Sequence, residues 1–115
     1  DVVLMNKEAF DAFSQNGYLC DLDKLLTASD SHLYEVLKPY LVTNTTILED
    51  NSIDLQFDSS IPYQAVTEEY TMGLDMSQAG LIHQAGFEDV VYLGIIENAT
   101  HKDTAVKYIQ YLFSE

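Results

Sequence analysis

The run VVYLGIIENATHKDTAVKYIQYLF, Val90 to Phe113, decides the fold class. Val90 to Ile96 is continuous, apolar and rich in β-branched residues, the length and character of a strand covered on both faces, and it stops at Glu97 and Asn98. Thr100 and Asp103 then have the spacing of a capping box, in which a hydroxyl and a carboxylate each satisfy an orphan backbone N–H at a helix start. Ala105, Val106, Ile109, Leu112 and Phe113 recur at helical spacing. One face of that helix is therefore apolar and lies back on the strand, while Lys102, Lys107 and Gln110 stay in water.

Outward from this unit, the opening of the chain repeats the logic. Val2 to Met5 reads as a short apolar strand and Asn6 as an N-cap. Met5 and Phe10 form a hydrophobic staple, Glu8 lies in the first turn, and Gly17 supplies a left-handed stop, so a helix spans Lys7 to Asn16. Asp1 opens directly on a strand and is read as a cut end. Leu22, Leu25 and Leu26 have helical spacing. Ser29 or Asp30 caps a further helix carrying Leu33, Tyr34, Val36, Leu37 and Leu41, which Pro39 ends near Lys38.

From Val42 the period changes. Thr43, Thr45, Thr46, Ile47 and Leu48 favour a strand, Glu49 to Ser52 is a turn signal, and Ile53, Leu55 and Phe57 alternate with Asp54 and Gln56, giving a hairpin with one wet face. A third extended run goes from Gln64 to about Leu74, with Ala65 or Val66, Tyr70 and Met72 as inward positions. Connections this short impose antiparallel pairing. Between Tyr70 and Phe87 the run TMGLDMSQAGLIHQAGF predicts a strand ending in Gly-Leu-Asp, then a two-turn helix capped by Ser77 and stopped by Gly86. Together these elements make one α/β domain over residues 1–115.

The net charge is −14, from 19 acidic and 5 basic residues, none of them Arg. Phosphate neutralisation needs clustered basic residues, so neither nucleic acid nor an anionic bilayer surface is an expected partner. No apolar run is long enough to span a bilayer, so this stretch is not expected to insert in a membrane. Cys20 is the single cysteine, which leaves no intrachain disulfide. It lies between Leu19 and Leu22 beside Asp21 and Asp23, surroundings that raise a thiol pKa and suit a structural cysteine.

Motifs for catalysis are missing. Asp50, Ser52 and Asp54 have the alternate spacing that opens a calcium loop, but Leu55 stands where that loop needs Gly and Ile61 where it needs Glu, so a turn explains them. His32, His83 and His101 lack the i, i+4 pairing of a helical zinc site. Glu68 and Glu69 are adjacent on an extended run and point to opposite faces. With no nucleophile elbow, Walker loop or dinucleotide turn, neither an enzyme nor a cofactor nor a metal is expected.

Two stretches carry a family resemblance. DVVLMNKEAFDAFSQNGYLCDLDKLL, Asp1 to Leu26, and the Val90 to Phe113 run are similar, in that order, to segments of bacterial extracellular solute-binding proteins of ABC importers. The resemblance implies a single periplasmic-binding-protein-like lobe, with a mixed sheet and a hairpin flanked by helices. It implies an extracytoplasmic, cell-surface protein, a lipoprotein anchored to the membrane in its full-length form, that binds a small-molecule solute, carbohydrate among the candidates, and serves an ABC permease in transport. A chain of 13.0 kDa matches one lobe in size, hence a fragment or a reduced relative.

In that family ligands meet loops at strand ends, which maps to Asn6 and Lys7 after the first strand and to Glu97 and Asn98 after the last, with Tyr63, Tyr70 and Tyr92 as aromatic platforms. Capping is the alternative role for Asn6 and Asn98. The competing function is a non-catalytic interaction or structural domain that keeps the lobe fold without transport. If strands preceding Asp1 are missing, a sheet edge is left open, and a homo-oligomer through that edge is expected.

Overall fold

The computed structural model describes residues 2–78 and 91–113. Along them run β1 (Val2–Met5), α1 (Lys7–Gln15), α2 (Leu22–Ser29), α3 (Ser31–Leu37), β2 (Leu41–Asp50), α4 (Ser52–Phe57), β3 (Ala65–Asp75), β4 (Tyr92–Ile95) and α5 (Lys102–Phe113), with 3₁₀ turns at Lys38–Tyr40 and Met76–Gln78. The helix starts follow from local chemistry. Asn6 accepts the Ala9 N–H at 2.9 Å, Asp21 that of Lys24 at 3.2 Å, and Asp30 that of Leu33 at 3.1 Å, each satisfying an orphan donor. Gly17, at φ 72°, closes α1 in the left-handed region, and Pro39 falls in the 3₁₀ turn that ends α3. α5 begins one residue later than the capping-box spacing implies. The Ala105 N–H bonds to the His101 carbonyl at 3.1 Å, so His101 rather than Thr100 takes the N-cap position.

The strands form one sheet in the order β1-β4-β3-β2, and every neighbour is antiparallel. The expected mixed sheet is therefore corrected to a purely antiparallel one within a mixed α and β architecture. β4 lies inside the sheet, as its unbroken apolar sequence requires. Val91, Leu93 and Ile95 face a layer built from α2, α3 and α5, and Tyr92 and Ile96 face α1. β1 does pair with β4, Val2 opposite Ile95 and Met5 opposite Tyr92. It is an edge strand, though, not a central one, and Leu4 is 40 % exposed. An apolar run of four residues needs cover on only part of its surface when a single neighbour supplies its ladder.

The three-helix layer packs Leu22, Leu26, Leu37, Ile109 and Leu112 against Leu74, Leu93 and Ile95. Each fully buried side chain of this kind contributes roughly 1.5–3 kcal/mol. On the opposite face, Phe10 of α1 stacks on Tyr92 with ring centroids 4.7 Å apart and packs with Met5, Leu19 and Met72. The ladder bulges there. Val42 pairs with Gly73 and Thr43 with Thr71, so Met72 is the extra residue.

β2 pairs with β3, Asp50 opposite Ala65 and Leu41 opposite Leu74, across a connection of residues 51–64. Ile53 to Phe57, expected as a strand, is instead α4 within the connection. Alternating apolar residues make a strand only where a sheet face receives them, and none of α4 is buried. Asp50 turns the chain by accepting both the backbone N–H and the hydroxyl of Ser52, at 3.1 and 2.7 Å. Of the inward positions expected on β3, Met72 is buried and Tyr70 half-buried, whereas Ala65 and Val66 are exposed. The helix expected from Ser77 to Gly86 lies, beyond Gln78, outside the described residues.

Candidate functional site

β3 accompanies β4 for only two pairs, Leu74 with Leu93 and Asp75 with Tyr92. The odd residues of β4 aim their backbone groups toward β3, as the Met76 N–H bond to the Val91 carbonyl at 2.8 Å demonstrates. Farther along β4 the same side is taken by Leu19 and Cys20. The Cys20 N–H donates to the Ile95 carbonyl at 2.9 Å, the Glu97 N–H donates to the Tyr18 carbonyl at 2.8 Å, and Leu19 bridges Ile96. β3 is thus forced away from the end of β4. The Tyr70 hydroxyl spans the fork by donating to the Leu19 carbonyl at 2.9 Å.

At the mouth of this fork lies a recess of about 450 Å³, walled by Cys20, Asp21, Lys24, Leu25, Glu68, Tyr70, Glu97 and Lys102. Lys102 and Glu97 approach to 3.8 Å, a loose ion pair on the rim. Burial pushes the Cys20 thiol up to about 11; Glu97 and Asp21 add to the shift and Lys102 opposes it. The sulfur is therefore a protonated thiol at neutral pH. Burial likewise raises the Tyr70 phenol, helped by the negative charges of Glu97, Glu68 and Asp21. The recess offers carboxylates as acceptors, two ammonium groups as donors and a phenol ring edge, a set that can hydrogen-bond a polar solute. Among the described residues no group of three or more His, Cys, Asp or Glu side chains is placed to hold a metal ion.

Of the residues singled out from sequence, Tyr70 and Glu97 meet in this recess, and Asn98 flanks an adjoining hollow with Gly17, Tyr18, Ile96 and Glu97. Asn6 and Lys7 lie at the other end of the sheet, because antiparallel β1 and β4 direct their carboxyl ends oppositely. Asn6 caps α1, and Lys7 bonds Asp11 at 2.5 Å. Tyr92 lies at that same far end, stacked on Phe10. Tyr63 belongs to the hairpin connection, its hydroxyl donating to Asp50 at 3.0 Å. Sequence reading missed Lys24, Asp21, Glu68 and Lys102 as a group. Asp21 and Lys24 stand at the start of α2, Glu68 on β3 and Lys102 on α5, and no local spacing links these three places.

No protein-family model, curated protein or solved structure matches this chain.

Proposed function

We propose that this chain is a solute-binding domain, one lobe of an extracytoplasmic binding protein that delivers a small molecule to an ABC permease. The carrying observation is the recess at the β3–β4 fork. It gathers charged groups of both signs beside a half-buried tyrosine, the kind of concave and convergent polar site that small molecules occupy. Helices on both faces of the sheet and the similarity of the Asp1–Leu26 and Val90–Phe113 segments support the same reading. Neutral polyols, carbohydrates included, suit its acceptors and donors. A single open wall buries only part of a solute, so affinity near about millimolar is expected.

The test is a ¹⁵N–¹H correlation titration with a panel of mono- and disaccharides, amino acids and dipeptides. Shifts confined to Lys24, Glu68, Tyr70, Glu97 and Lys102, and lost in Glu97→Gln, are the expected result. Absence of any shift across the panel, or shifts elsewhere on the chain, refutes the proposal.

A second reading, an interaction domain without transport, is favoured by one observation. The hairpin carries large apolar side chains in solvent, among them Phe57 at 87 % exposure.

A further inference from the structure

Residues 47–69, the outer part of β2, α4, its connection and the outer part of β3, contain no buried residue. The segment projects. The chain measures 55 × 32 × 24 Å with a radius of gyration of 16.3 Å, against about 13 Å for a compact chain of this length. Polar sequence would make such an arm a plain solvated hairpin. Instead Leu48, Ile53, Phe57, Tyr63 and Val66 are between 50 % and 87 % exposed. Ile53 and Phe57 are four apart on α4 and share one stripe of it. Exposed apolar area gathered in one segment marks a docking surface, because water disfavours it and nothing in the fold requires it.

Charge selects the occupant. The same arm carries Glu49, Asp50, Asp54, Asp58, Glu68 and Glu69, and no lysine or arginine occurs between Lys38 and Lys102. Asp50 and Asp58 are held ionised below the usual carboxylate range, chiefly by hydrogen bonds from Ser52 and Ser60. A second copy of this chain, itself at −14, is repelled by such an arm, as are anionic lipid headgroups. We propose that the arm is a docking element for another protein, whose surface offers an apolar stripe to Ile53 and Phe57 flanked by lysine or arginine facing Asp54 and Asp58. The apolar stripe supplies affinity and the surrounding carboxylates supply orientation and speed of encounter. Ile53, Asp54, Phe57 and Asp58 do not line the recess at the β3–β4 fork, which the arm reaches only at Glu68.

The experiment uses an amphipathic helical peptide of alternating leucine and lysine faces, labelled for fluorescence anisotropy, against the full chain. Binding is expected to weaken at least about tenfold in Phe57→Ser and in Ile53→Ser, the loss typical of removing an anchoring side chain. It is expected to weaken further with added salt and in the Asp54→Asn, Asp58→Asn double variant. Amide shifts on binding should cluster in residues 48–66. Both apolar positions are exposed, so circular dichroism should show the variants folded.

Four outcomes overturn the proposal: equal binding by a serine and lysine peptide, variants that bind like the parent, a concentration-dependent dimer abolished by Phe57→Ser, or adsorption to neutral phosphatidylcholine vesicles through the same residues.

Discussion

Gly73→Ala tests the packing between the sheet and α1. A Cβ at Gly73 would lie 2.7 Å from Cε1 and 2.9 Å from Cζ of Phe10, and 3.3 Å from the Leu93 carbonyl oxygen. Carbon atoms rest about 3.5–4.0 Å apart, so the ring must retreat by roughly an ångström. It has little room, being fully buried and stacked on Tyr92. Overpacking of this sort costs about 1–3 kcal/mol. Alanine recovers about 0.5–1 kcal/mol through the smaller backbone entropy of the unfolded chain, and no left-handed strain intervenes, since the positive-φ glycine among the described residues is Gly17.

The net expectation for Gly73→Ala is a loss of about 1–2 kcal/mol, read from urea unfolding by linear extrapolation. Phe10→Leu makes room for the new methyl. The double variant should therefore be more stable than additivity predicts, by about 1 kcal/mol. A neutral or stabilising Gly73→Ala, or strict additivity with Phe10→Leu, refutes the reasoning.

Three further expectations concern other parts of the fold. Ile109 is fully buried and Lys107 exposed, so Ile109→Ala should cost about 2–5 kcal/mol in denaturant titration and Lys107→Ala almost nothing; equal effects would mean that the face of α5 is misassigned. Val3 and Met5 pair with even residues of β4, which leaves the backbone groups of Val2 and Leu4 turned outward along an edge that no other described strand pairs with. Self-association that rises with concentration and salt should follow and should disappear in Leu4→Lys, whereas a strictly monomeric parent in sedimentation would rule the edge out. Burial lets Cys20 keep its proton in the folded chain up to about 11, against an ordinary 9.0. Its contribution to stability is complete below about 9, the unfolded value, and is lost as pH rises through the folded one. Unfolding free energy of the parent should thus fall more steeply over that range than that of Cys20→Ala, and thiol reagents should react slowly at pH 8. Rapid modification of the folded chain would contradict the burial.

Much of the fold is legible locally. Asn6, Asp30 and Gly17 act within four residues of themselves, and each does in the structure what its sequence position implies. Over residues 91–113 an interior strand and an amphipathic helix stand where the sequence expects them, the strand confined to Tyr92–Ile95, because burial on both faces demands an unbroken apolar run. β2 and β3 are antiparallel as expected, but not for the expected reason: residues 51–64, with α4 among them, separate the two strands, so a short connection does not impose the pairing. For Ile53 to Phe57 the local pattern misleads, since period two is informative only when a sheet face waits to receive alternate residues.

The candidate site was only partly legible. Tyr70 and Glu97 meet at the recess, whereas Asn6 and Lys7 lie at the opposite end of the sheet. Their placement depended on the direction of β1 against β4, a choice made by hydrogen bonds between residues about ninety positions apart. The recess depended on more than direction. Leu19 and Cys20 displace β3 from the end of β4, and the opening so created collects side chains from α2, β3 and α5. The sequence by itself determined most segments that become helix or strand, Ile53 to Phe57 excepted, because capping and periodicity act over a few residues. Strand order, the edge at β1 and the fork that gathers Lys24, Glu68, Tyr70 and Lys102 were decided by tertiary structure alone, because backbone donors and acceptors carry no side-chain signature of the partner they will find.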